Sequence, residues 1–138
     1  MLVLRIRQVQ KTLKTGGQVM KNIDLSCAQL GESLATIDEK LLTNALAVLQ
    51  EQGLYAFFLF LEVRGNDGGK RVSMECARFL EETPEASPLF PSNKRSDVFQ
   101  KLQALGDNLD DLLFARELLT QALVYARYHA KAKKENKS

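Results

Sequence analysis

The ten residues Leu54 to Val63 (LYAFFLFLEV) constrain the fold of this chain more than any other stretch. By composition the run would pass for a buried strand, and by length for a fully buried helix. Its uninterrupted apolar part, Leu54 to Leu61, covers eight residues, far short of the roughly 20 needed to span a bilayer. A strand has to pair, because backbone amides and carbonyls left unsatisfied away from water are costly. No second convincing strand occurs in the sequence, so the run reads as helix and the chain as all-α.

The flanking segments agree. Leu2, Ile6, Val9 and Leu13 recur at spacings of four, three and four, although Leu2, Leu4 and Ile6 also alternate as in a strand. Gly16 and Gly17 end that element. Residues 18–34 keep Met20, Ile23, Cys27, Leu30 and Leu34 on one stripe, with Gly31 inside it at a cost of about 1 kcal/mol relative to Ala. Thr36 and Glu39 have the spacing of a capping box, opening a helix that turns Leu42, Ala45, Leu46 and Leu49 inward. Gly53 ends it in a left-handed cap. RGNDGG, residues 64–69, reads as a plain turn, and residues 71–82 as a helix with Val72, Cys76, Phe79 and Leu80 inward. All three prolines fall in residues 83–96, which predicts a surface loop. Ser96 or Asp97 caps a short helix bearing Val98, Leu102 and Leu105, closed by Gly106. The last helix starts at Asp107 or Asn108 and reaches about Lys133, with Leu109, Leu112, Arg116, Leu119, Leu123 and Ala126 near one face. The expected architecture is a compact all-α bundle of five to seven helices. Residues 1–17 form an N-terminal extension or extra helix, 18–133 the bundle, and 134–138 a basic disordered tail. There is no internal repeat.

With 138 residues the chain suits one domain. Its net charge of +2 conceals segregation: residues 1–30 and 127–138 are basic, while 31–63 are acidic with Lys40 as the lone base. Such asymmetry fits a polyanion or a head-to-tail copy of the chain, and also a plainly solvated surface. Cys27 and Cys76 have no CxxC spacing and sit among apolar helical positions, where a buried thiol is expected. His129 is the only histidine and has no companion for a metal site. Arg5 and Arg7 interrupt any signal-peptide core, so a cytoplasmic protein with no membrane association is expected.

Catalytic motifs are missing. GNDGGK (Gly65 to Lys70) imitates a P-loop, but Arg64 stands where the first glycine is needed, and Arg71 where Ser or Thr would hold magnesium. Asp110–Asp111 and Glu81–Glu82 are neighbours that point about 100° apart on a helix, so they do not converge on a substrate. His129, near a basic helix end, is poorly placed to orient a triad. The expectation is a protein without enzymatic activity, cofactor, metal or small-molecule substrate.

The basic residues remain. Arg64, Lys70 and Arg71 surround one Gly-rich turn, Lys94 and Arg95 lie in the Pro-rich segment, and Arg116, Arg127 and Lys131 project from the last helix. Lys133 and Lys134 follow, with Tyr125, Tyr128 and His129 interleaved. Lys and Arg on loops and helix ends can track a phosphate backbone without reading bases. The two tyrosines fit packing against a neighbouring helix as well as stacking on a base. Of these groups the turn at 64–71 is the more specific, since Gly65, Gly68 and Gly69 permit close backbone approach. Reversing Arg64 and Arg71 to Glu is expected to weaken binding to such a phosphate backbone, the target RNA of the complex that the resemblance below implies, without unfolding the bundle.

The order of elements resembles the small helical subunit of type III CRISPR effector complexes, in its RAMP-module (Cmr) form. The residues that carry the resemblance are LLTNALAVLQEQGL (Leu41 to Leu54), AFFLFLEVRG (Ala56 to Gly65) with the Gly-rich turn after it, and ELLTQALVYARYHAKA (Glu117 to Ala132). The similarity covers residues 20–132 and rests on hydrophobic patterns. It implies a non-catalytic bundle that stacks head to tail with copies of itself beside the backbone and other subunits of the effector. There it would hold guide RNA and target RNA through their backbones. Arg64 matches the basic position before the glycine turn, and Arg127 the basic position between aromatics in the last helix. A helical adaptor that binds only protein is the alternative.

Overall fold

A computed structural model describes residues 19–64, 66–91 and 97–136. Among them are six helices and no strand: α1 (Val19–Ser33), α2 (Glu39–Gln52), α3 (Leu54–Arg64), α4 (Asp67–Glu82), α5 (Val98–Leu105) and α6 (Leu109–Asn136). The fold is an all-α bundle, as the spacing predicts. The helix expected at residues 2–13 lies outside the described residues, as do Gly65, Lys94 and Arg95. The 28-residue α6, about 42 Å long at 1.5 Å per residue, is the mast of the bundle. α1 and α2 pack along it, α3 packs on α2, and α4 and α5 pack on α3. Phe57, Phe58 and Phe90 fill the centre, with Leu42, Leu49, Leu61, Leu80, Leu119 and Leu123 around them.

α1 and α6 cross at small residues. A Cβ on Gly31 would lie 2.6 Å from Tyr125 Cβ, 2.8 Å from the Ala126 nitrogen and 2.9 Å from the Ala122 carbonyl oxygen. The glycine that reads as a helix defect is thus the point of closest approach. Below it, the Cys27 thiol donates to the Leu118 carbonyl at 3.7 Å. Burial pushes the thiol pKa up to about 12, with help from the Asp24 carboxylate nearby.

Several local expectations are corrected. α2 begins after Asp38, whose side chain makes no capping bond, so the Thr36–Glu39 capping box does not form. Thr36 lies two residues too early, and its hydroxyl instead accepts from Arg71. Gly53 has φ 98° and ψ −174°, a glycine-only extended region rather than the left-handed helical one. α3 is not enclosed on all sides. Leu54, Phe57, Phe58 and Leu61 are buried, but Tyr55 and Leu59 are exposed and Val63 is 77% exposed. The supposed plain turn at 64–69 is mostly helix: Asn66 Oδ1 accepts from the Gly69 amide at 2.7 Å and starts α4 at Asp67.

Residues 83–91 form the expected loop, with residues 85–88 and Pro91 exposed, but four of its residues turn inward. Thr83, Pro84, Leu89 and Phe90 are buried. The Leu89 and Phe90 amides bond the carbonyls of Thr83 and Leu80 at 3.1 and 3.0 Å, which folds the segment back onto α4. Phe90 then reaches the centre, its ring 6.3 Å from that of Phe58. Asp97 caps α5 in a true capping box with Gln100, and the buried Lys101 ammonium is neutralised by Glu81. In α6 the buried stripe runs Phe114, Ala115, Leu118, Leu119, Ala122, Leu123 and Ala126, whereas Leu109 is 64% exposed. The helix continues to Asn136, past the expected end near Lys133.

Candidate nucleic-acid interface

The basic residues occupy two separate regions. The first is the corner where α2 starts, α3 ends and α4 starts. Arg64 and Lys70 are exposed there, and the Arg64 guanidinium sits 5.2 Å from the centre of the Phe60 ring. A hollow of about 230 Å3 beside Arg64 is lined by Asp38, Lys40, Leu41, Asn44 and Asn66. Arg71 is engaged with the protein: its Nη1 donates to Thr36 Oγ1 at 2.7 Å and its Nη2 to the Ser33 carbonyl at 2.8 Å. It closes the C-terminus of α1, where carbonyls lack helical partners. Reversing Arg71 would remove both of these exposed bonds. The glycines are also committed. A Cβ on Gly69 would lie 2.9 Å from the Leu61 carbonyl oxygen, and one on Gly68 3.2 Å from Leu41 Cδ2. They allow α4 to start hard against α3 and α2, not against a phosphate. Asp38 and Asp67 stand at this corner as well, so its charge is mixed.

The second region is the far part of α6. Arg116 is spent near the middle of the bundle, where its Nη2 donates to the Gln50 carbonyl at the end of α2. The length of α2 separates it from the first corner by about 18 Å. Beyond Glu117 no acid occurs before Glu135. Within that interval Arg127, Lys131 and Lys134 are spaced four and three apart, which puts them within about 60° on one face. Lys131 and Lys134 are exposed and Arg127 is half-buried, its Nε enclosed without a hydrogen-bond partner. Tyr128 borders the stripe at 68% exposure. Tyr125 is used internally, its hydroxyl donating to Asp24 Oδ1 at 3.0 Å. The cations also suit the negative end of a helix dipole.

Comparison with known families, curated proteins and solved structures finds no match. The reading of the site therefore rests on this chain's own geometry. Among the described residues no group of three or more His, Cys, Asp and Glu is placed to hold a metal ion, and no helix is long and apolar enough to cross a membrane. Both thiols are buried, and burial raises the pKa of each.

Sequence reasoning missed Lys40, Asn44 and Asn66 at the corner, and it named Lys134 among the basic residues without placing it on the stripe. Lys40 carried a signal, as the lone base in an acidic quarter. Lys134 was assigned to a tail because the helix was ended too soon; extending the four-three spacing from Arg127 would have recovered it.

Proposed function

We propose that this bundle is a non-catalytic, RNA-contacting small subunit of a type III CRISPR ribonucleoprotein. In that role it touches guide and target RNA through their phosphates and stacks among backbone subunits and copies of itself. The observation that best supports the reading is the acid-free stripe Arg127–Lys131–Lys134 on a continuous helix, with Tyr128 exposed beside it. A rigid row of cations follows a phosphate backbone without base specificity. Arg64 and Lys70, aided by Lys40, offer a second and weaker contact point, because carboxylates share their corner.

The test is RNA-duplex binding by the assembled ribonucleoprotein across a salt series. Lys131→Glu with Lys134→Glu is expected to weaken binding about tenfold or more at low salt, and to flatten the dependence of log K on log salt by about 2. Arg64→Glu with Lys70→Glu should have a smaller effect of the same kind. Unchanged affinity and slope in both variants would sink the RNA role. A protein-only adaptor is the second reading, favoured by the exposed Tyr55, Leu59 and Val63 on α3. In that case Leu59→Glu with Val63→Glu would abolish assembly while RNA binding stayed absent throughout.

A further inference from the structure

A groove of about 510 Å3 runs between α1 and α4 and ends at the 83–85 turn. Its lining is mixed: Ile23 and Leu30 from α1, Phe79 from α4, and Pro84 are apolar, and Ser26, Gln29, Ser33 and Thr83 lie among them. Its rim is acidic, with Glu75, Glu82 and Glu85 against the single cation Arg78. Arg78 is already held by Glu75 at 2.8 Å, and Glu82 and Glu85 make no ion pair among the described residues. The two helices run antiparallel, because Arg71 near the start of α4 bonds Ser33 at the end of α1. Glu82 and Glu85 therefore lie at the Ile23 end of the groove, where α1 begins.

We propose that the chain's own residues 1–14 occupy this groove, in an arrangement independent of any RNA role. Three features select this occupant. The first is charge: Arg5, Arg7, Lys11 and Lys14 are four cations with no acid among them, complementary to a rim with two carboxylates that make no ion pair among the described residues. The second is pattern, since Leu2, Ile6, Val9 and Leu13 provide an apolar stripe at helical spacing for the apolar part of the lining at Ile23, Leu30, Phe79 and Pro84. The third is reach. Leu2 to Leu13 as a helix spans about 16 Å, and Ile23 to Ser33 along the groove spans about 15 Å. Gly16–Gly17 lets the chain reverse just before α1. An antiparallel return places Lys14 and Lys11 beside Glu82 and Glu85. A short tether also gives the chain's own segment a millimolar-range effective concentration, so it outcompetes the same segment of another copy.

Zero-length carbodiimide crosslinking of the full chain, followed by mass spectrometry, tests this on a mixture of unlabelled and 15N-labelled protein. The expected products are links from Lys11 or Lys14 to Glu82 or Glu85 within one isotopic chain. Ile6→Asp with Val9→Asp keeps both lysines yet should cut their yield about tenfold or more, because the apolar stripe can no longer be buried. Four results would overturn the proposal: no such links, links only between light and heavy chains, links to Glu51 or Glu62 on the opposite helices instead, or undiminished yield in the double variant.

Discussion

Gly31 shows how a single residue's meaning depends on what lies across from it. In isolation, Gly31→Ala should gain up to about 1 kcal/mol of helix propensity. In the bundle, the added methyl meets two backbone atoms of α6 and the Cβ of Tyr125 within 3 Å. Backbone cannot rotate aside, and overpacking of this kind costs about 1–3 kcal/mol. The variant is expected to be net destabilised, with a lower midpoint in urea unfolding; an equal or higher midpoint would refute the close crossing. Nothing near position 31 announces this role, because its partners are about 90 residues away. Gly53 is the contrasting case. A Cβ there meets nothing within 4 Å, and its demand is a positive φ, which a glycine between two helical patterns does signal locally. Arg71 shows the limit of charge reading: a guanidinium written in sequence as available is tied to Ser33 and Thr36.

At the scale of elements, sequence was most informative where the code is local. The four-three spacing of Leu42, Leu46 and Leu49 or of Val72, Cys76 and Phe79 depends only on neighbours in the chain, and those helices form. In segment 83–91 three prolines mark a loop, and residues 85–88 are exposed as that implies, but nothing local announces Leu89 and Phe90, whose burial is decided by packing against Phe58 and α4. Phe90 is wholly enclosed, so Phe90→Ala should destabilise the protein by about 3–5 kcal/mol. A surface-loop residue would change the unfolding free energy by about 0.5 kcal/mol at most, so chemical denaturation separates the two cases. The run LYAFFLFLEV was assigned to the right kind of element but to the wrong degree of burial. An eleven-residue helix has more perimeter than its neighbours cover, and the side bearing Val63 stays outside.

For the molecule as a whole, the buried thiols make stability fall in alkali. Burial, and then the nearby Asp24 and Glu75 carboxylates, raise Cys27 to about 12 and Cys76 higher still, from an ordinary value of 9.0. The unfolded chain releases these protons first. The contribution of the neutral thiols is therefore complete below pH 9 and is lost as pH climbs from there toward the folded values. Between pH 8 and 10.5 the wild type should lose on the order of 1–2 kcal/mol per thiol more than a Cys27→Ala/Cys76→Ala variant does. Parallel losses in the two proteins, followed by thermal melts, would show that the thiols are accessible in the fold. The candidate interface was half legible at this scale. Segregated charge marked the C-terminal end, but only the extent of α6 aligns Arg127, Lys131 and Lys134. The turn at 64–71, favoured in sequence for its glycines, uses Gly68 and Gly69 to seat one helix on two others.

The crossing of α1 over α6 also defines how kinship to this chain can be recognised. Surface lysines and arginines can drift between positions while still serving a phosphate backbone. The volume at Gly31 is confined more tightly, since a Cβ there would meet the α6 backbone at Ala122 and Ala126 within 3 Å. A glycine late in the helix equivalent to α1, facing the backbone of a long last helix, is therefore a more telling mark of this packing than any surface cation.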